Sequence, residues 1–199
     1  MPSLPNNRLI DLSKKYAAKY KLPASLVYAM ILSESTGDPE AKSGKNAVGL
    51  MQLQDTTAKE MGFSHEDMRN PDKNVKAGAG YMAKMLKRFK DPGRALSAYN
   101  AGPGATRKNE DLAPGAAPYV HKVGDLVQEL TNPGQPFADE TDLSDAHSPD
   151  RLYRQQIADV VMELINREKE QEGVPYKDVG EPVSISKAFQ QNAGGRYHF

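Results

Sequence analysis

Apolar residues recur at spacings of three and four through most of the chain, in blocks broken by Gly and Pro. Leu9, Leu12, Tyr16 and Tyr20 predict a helix from about 7 to 20. Pro23 suits the first turn of a second helix, where its missing N–H costs nothing. Leu26, Val27, Met30 and Ile31 form the buried stripe of that helix, and Gly37-Asp38-Pro39 ends it. The polar stretch Glu40 to Asn46 reads as loop. Val48 to Leu53 reads as an extended or short helical piece, and Asp55 is expected to cap a short helix over Thr56 to Met61 closed by Gly62. A longer helix is predicted from Asn74 to Phe89, with Val75, Gly78, Met82, Met85, Leu86 and Phe89 inward. The small pair Gly78 and Ala79 would admit a close neighbouring helix. Asp91-Pro92-Gly93 is a turn, Arg94 to Asn100 a short helix, and Ala101-Gly102-Pro103-Gly104 a stop. Loop follows to Pro118, which opens a helix to about Leu130 with Val120, Val123, Val127 and Leu130 inward.

The pattern changes after Leu130. Residues 131–149 are acidic and short of apolar side chains, which suits a linker. Ser148-Pro149-Asp150 then starts a helix carrying Tyr153, Ile157, Val160, Val161 and Leu164, and Gly173 to Phe199 has little periodicity. No strand-rich region and no internal repeat is visible, so the class is mostly α. The expected division is an N-terminal helix over 1–21 packed on a main domain of 22–130, a linker over 131–149, and a C-terminal helix and tail over 150–199.

Composition narrows the function classes. The 199 residues suffice for one domain with appended segments. Lys and Arg number 26 and Asp and Glu 26, a zero formal charge that argues against a broad nucleic-acid binder. Cys is absent, which removes disulfides, thiol catalysis and thiolate metal sites without fixing the compartment. The longest apolar run, Leu26 to Leu32, is far too short to span a bilayer. The opening MPSLPNNRLIDLSKK has no apolar core, so no signal peptide is expected. His65, His121, His147 and His198 lack metal-ligand spacing and no HExxH occurs; no metal and no organic cofactor is expected.

One carboxylate stands apart. Glu34 follows Val27 by seven, Met30 by four and Ile31 by three, which places it on the apolar face of its helix at the last turn. Burial disfavours the charged carboxylate, and the partial negative charge of the helix C-terminus pushes the same way. A carboxyl still protonated near neutral pH is what general-acid catalysis requires. The alternative is a side chain that snorkels to solvent from a helix end.

Four motifs follow in order: Glu34-Ser35 with Ala41 and Ser43; Gly49-Leu50-Met51-Gln52 with Thr57-Ala58; Ala98-Tyr99-Asn100-Ala101-Gly102-Pro103-Gly104; and Tyr119-Val120. In these the chain resembles, over about Leu22 to Val127, the transglycosylase SLT family of lysozyme-like enzymes that cleave peptidoglycan. Two departures are visible. Asn46 replaces a usual Gly, a tolerable exchange at a left-handed position, and Gln54-Asp55 replaces a Met-Pro pair.

The resemblance implies a lysozyme-like helical catalytic domain of the α+β superfamily with a C-terminal helical extension. It implies a carbon–oxygen lyase acting on the MurNAc–GlcNAc β-1,4 bond, with Glu34 as acid and then base and a 1,6-anhydro product. An intramolecular nucleophile of this kind needs no second protein carboxylate, and Asp38, Asp55 and Asp72 read as turn or cap residues. Substrate contacts are implied for Ser43, Met51, Gln52, Tyr99 and Asn100, and a hydrogen bond from Tyr119 to Glu34. Met51 and Tyr99 also suit a plain core, Gln52 and Asn100 suit backbone-bonding amides, and Tyr119 suits an ordinary helix start.

Competing readings are a hydrolytic muramidase on the same scaffold, like goose-type lysozyme, and a structural or wall-binding protein with an idle groove. The implied partner is the peptidoglycan glycan strand, with no nucleic acid. Without an export signal, the preferred setting is a bacteriophage particle that opens the host cell wall from outside, docked to other virion or tail proteins through the C-terminal segment; a C-terminal helix that packs back on the catalytic domain is the alternative. Release after permeabilisation and a mature or truncated form are the other routes.

Overall fold

The computed structural model describes residues 6–106 and 112–140. Six α-helices lie among them: α1 Asn6–Tyr20, α2 Ala24–Ser35, α3 Asp55–Glu60, α4 Pro71–Phe89, α5 Pro92–Ala101 and α6 Ala117–Leu130. Short 3-10 turns cover Glu66–Arg69 and Ala138–Glu140. The fold is mostly α, as expected, and the β structure among the described residues is two isolated antiparallel bridges, Lys42 to Val48 and Val48 to Leu53.

The central element is α2. It packs against α1 and α6, while α4 packs against α1 and α5, and α5 against α6. Ala24 to Leu32 are all buried, so α2 is enclosed on every side along its first nine residues rather than along one stripe. A helix apolar all round belongs in a core, and only its last turn, from Ser33, meets polar surroundings. The stripes expected for α1 and α4 are observed: Leu9, Leu12 and Tyr16, and Val75, Gly78, Met82, Met85, Leu86 and Phe89, are buried.

Helix ends differ from the sequence reading where side chains outside the periodic pattern decide them. α4 begins at Pro71 because Asn70 caps it, its side chain accepting from the Lys73 N–H at 3.2 Å. Asp91 caps α5 in the same way, accepting from the Arg94 N–H at 2.7 Å. Asp55 does not cap α3. Gln54 occupies that position without a side-chain bond, and Asp55 lies in the first turn, paired with Lys59 at 2.7 Å. Asp72, in the first turn of α4, receives the Tyr16 hydroxyl and the Lys15 ammonium and ties α1 to α4. Asp38 closes a turn by accepting from the Glu40 N–H at 2.9 Å.

The segment after α6 departs from an open linker in its first ten residues. The Phe137 N–H donates to Leu130 O at 3.2 Å, and its ring is fully buried with its centroid 5.5 Å from that of Tyr28. The remainder of the expected linker, 141–149, and the expected helix and tail, 150–199, lie outside the described residues.

Candidate active site

The last turn of α2 is held against the segment 41–53 by a set of polar ties. Thr36 and Gly37 both take positive φ, 52° and 83°, and turn the chain sharply out of the helix. The buried Ser35 hydroxyl reaches Leu50 O at 2.9 Å and Ile31 O at 3.2 Å, and accepts from the Gly37 N–H at 3.2 Å. From α4, the fully buried Asn74 accepts from the Met51 N–H at 2.8 Å and donates to Val48 O at 2.8 Å and Met68 O at 2.9 Å. Gly49 lies under this amide at φ +80°. A Cβ there would come within 2.3 Å of Asn74 Nδ2, so both conformation and space require glycine.

These ties shape one wall of a cleft of about 480 Å³. Glu34, Ser43, Lys45, Ala47 and Gln52 lie along it. Gln54, Thr56, Thr57 and Glu60 extend it toward α3, and Tyr81, Tyr99, Asn100 and Gly102 close the opposite side. The size suits a small ligand or part of a polymer strand.

Glu34 is half-buried at the cleft wall. Burial pushes its carboxyl up to about 7, against opposing pulls from the Tyr119 hydroxyl and the Lys122 ammonium. The Tyr119 hydroxyl is buried beside Glu34, close enough for hydrogen bonding to pull the carboxyl's pKa down, although it meets no acceptor in full hydrogen-bond geometry among the described residues. Burial also holds the Tyr99 and Tyr119 phenols well above their ordinary range, so both stay neutral.

Five of the seven expected site residues share this cleft: Glu34, Ser43, Gln52, Tyr99 and Asn100. Their polar groups are partly committed. Ser43 Oγ accepts from the N–H of Lys45 and of Ala47, at 3.2 and 3.1 Å, which leaves its own hydrogen to donate. Gln52, at φ 44°, donates both amide hydrogens, to Ala41 O and Gly49 O at 3.0 Å each, which leaves its carbonyl oxygen as an acceptor. Asn100 is exposed, with its amide uncommitted among the described residues. The Tyr99 hydroxyl donates to Met51 O at 2.9 Å, and its buried phenol lies within electrostatic reach of Glu34.

Met51 is placed differently from the expected sugar contact. Its side chain is fully buried against Gly78 of α4, where an added Cβ would meet Met51 Sδ at 2.4 Å. The close neighbour admitted by Gly78 is thus this side chain and not a helix. Tyr119 is not among the residues lining the cleft. Two supporting residues, Asn74 and Lys122, escaped the sequence reading, and Ser35 was named in the first motif without its supporting role. Lys122 had a signal, since it follows Tyr119 by three on α6 and so shares its face.

Over residues 11–121 the chain matches the model of the Transglycosylase SLT domain. It is 38% identical over 86 residues to a transglycosylase of Enterobacteria phage PRD1, covering 43% of this chain and 32% of that protein. It is 36% identical over 113 residues to the membrane-bound lytic murein transglycosylase F of Desulfosudis oleivorans, covering 53% of this chain and 24% of that protein. The match thus spans about a third of the one relative and about a quarter of the other. Among solved structures it is similar to the 70 kDa soluble lytic transglycosylase of Escherichia coli, at a TM-score of 0.47 and 23% identity over 81% of this chain and 24% of that one. It is likewise similar to the lytic transglycosylase Slt of Pseudomonas aeruginosa, at 0.47 and 26% over 86% of this chain and 26% of that one. With more than half of its length matched by the family model and the motif residues gathered around one cleft, the chain belongs to the Transglycosylase SLT domain family.

Proposed function

We propose that the protein is a peptidoglycan lytic transglycosylase that cleaves the MurNAc–GlcNAc β-1,4 bond and leaves a 1,6-anhydromuramic end. The observation that carries this reading is Glu34, a carboxyl whose proton is retained to about pH 7 at the wall of a polar cleft. Protonated Glu34 donates to the bridging oxygen as the C1–O bond breaks. The resulting carboxylate takes the proton of the muramic C6 hydroxyl while O6 bonds to C1, so the proton given up is regained and no water is consumed. The nucleophile belongs to the substrate, which gives it a high effective concentration. The buried Tyr119 hydroxyl supplies a donor toward Glu34 in its transient ionised state. Ser43 donates to the strand, Gln52 accepts from it, Asn100 does either, and the Tyr99 ring packs on a sugar face.

A hydrolytic reaction is the second reading, favoured by one observation: Glu60 lines the same cleft, paired with Lys84 at 2.5 Å. The phage setting belongs to the proposal as well. It is supported by the likeness to the PRD1 transglycosylase, and places the protein on a virion acting on the periplasmic or outer wall. Digestion of purified peptidoglycan with mass analysis of the sugar ends tests activity and reaction type together. Anhydro ends are expected from the parent, with cleavage falling at least about a thousand-fold in Glu34→Gln while strand binding persists. Reducing ends that vanish in Glu60→Gln would replace transglycosylation by hydrolysis, and undiminished cleavage in Glu34→Gln would remove Glu34 from its role.

A further inference from the structure

Lys122 is a half-buried ammonium on α6, and its Nζ donates to Ser33 O at 2.9 Å, one residue before Glu34. That carbonyl lies in the last turn of α2, where the C=O groups lack helical partners and the helix dipole is negative. Its neighbours are satisfied within the turn: Leu32 O accepts from the Thr36 N–H at 3.1 Å, and Ser35 O from the Asp38 N–H at 3.0 Å. A neutral amide would serve Ser33 O equally well. A charge here is disfavoured by burial, which lowers the Lys122 pKa, and the attraction of Glu34 opposes that lowering. The charged group that meets it is Glu34.

We infer that Lys122 is a positioning residue for Glu34: clamped on the Ser33 carbonyl one residue before it, Lys122 holds a positive charge beside the last turn of α2 that carries the carboxyl. The other titratable groups around Glu34 are Tyr119 on α6 and Tyr99 on α5, with Tyr81 of α4 against Tyr99 and with Lys45 and Glu60 farther along the cleft. The phenols closest to Glu34, Tyr99 and Tyr119, are held neutral by burial, so they cannot supply this charge. Enclosure alone would make Glu34 a still weaker acid, slow to give its proton to a glycosidic oxygen. The Tyr119 hydroxyl and then Lys122 return its proton affinity toward neutrality, where one carboxyl can act first as acid and then as base. The consequence for catalysis rests on the proposed function; the consequence for ionisation does not.

The test compares the full chain with Lys122→Met, Lys122→Gln and Lys122→Arg. Two readouts run from about pH 5 to about pH 9: the Glu34 carboxyl followed by ¹³C NMR, and release of soluble fragments from purified peptidoglycan. In the Met and Gln variants the Glu34 titration and the alkaline limb of cleavage are expected to move up together by about half a unit or more, with plateau activity down several-fold. The Arg variant keeps the charge and is expected to titrate with the parent. Should the Met variant fail to fold, the Gln variant, which retains a donor for Ser33 O, carries the comparison. A Glu34 titration unmoved in the neutral variants would reduce Lys122 to a helix-end clamp and overturn the inference. A parent that cleaves nothing would refute the proposed function and leave the NMR result standing.

Discussion

At the scale of a single residue, the shift that prepares Glu34 for proton transfer also weakens the fold near neutral pH. The unfolded chain ionises this carboxyl near its ordinary value of 4.5, whereas the native protein keeps the proton to about 7. Between those values the native state binds more protons than the unfolded one, so stability falls as pH rises and levels off above 7. Glu34→Gln cannot ionise. It is expected to equal the parent below about pH 4 and to exceed it by the order of 2 kcal/mol at about pH 8, after allowance for the part of the carboxyl that meets solvent. Urea denaturation at several pH values checks this, and a difference independent of pH would contradict a buried, proton-retaining carboxyl. The position of Glu34 was legible from its spacing to Val27, Met30 and Ile31, although the reason differs: α2 is enclosed on all sides and not along one stripe. The commitments of the Gln52 amide and the Tyr99 hydroxyl were not legible. Both partner backbone carbonyls that only the folded chain brings near, Ala41 O and Met51 O.

Among elements, the division between what the sequence showed and what it concealed follows the range of the forces involved. Helices α1, α4 and α6 announce themselves because each buries one stripe and the period is local. The segment 41–53, which forms the cleft wall, has no such period; its shape depends on Asn74, which reaches across from α4 with three hydrogen bonds. The same logic explains the helix starts, where the Asn70 cap adds a polar turn ahead of the first apolar residue of α4. Asn74→Ala strands the Met51 N–H and the Met68 carbonyl inside the core, while Val48 O keeps the Leu53 N–H at 3.1 Å. Each buried group left unpaired costs about 1–3 kcal/mol, so a loss of about 4 kcal/mol is expected by chemical denaturation. Asn74→Asp keeps one acceptor, loses both donors and buries a charge, and is expected to be no better tolerated. Cleavage should fall in either variant even where folding is restored by low temperature, since the Gln52 and Ser35 ties hang from the same wall.

For the molecule as a whole, the question is where the folded unit ends. Composition places a boundary after Leu130, and the apolar content does fall there. One aromatic changes the outcome: Phe137 turns back onto Tyr28 of α2 and is fully buried, with the Lys14 ammonium of α1 lying 5.7 Å from its ring centre. It touches both α1 and α2, so residues 131–137 behave as a clasp across these helices rather than as spacer. A composition average cannot detect this, because a single large ring contributes little to a window but buries as much apolar area as several small residues. Phe137→Ala is therefore expected to destabilise the protein by about 3 kcal/mol, lowering Tm by roughly 10 °C. Phe137→Leu, which refills most of the space, should lose about a third of that. Phe137 lies against Tyr28, near the start of α2, and does not line the cleft that holds Glu34 at the other end of that helix, so cleavage measured well below the lowered Tm should be retained in both variants. A thermal midpoint unchanged in Phe137→Ala would return residues 131–140 to the linker and put the edge of the folded unit back at Leu130.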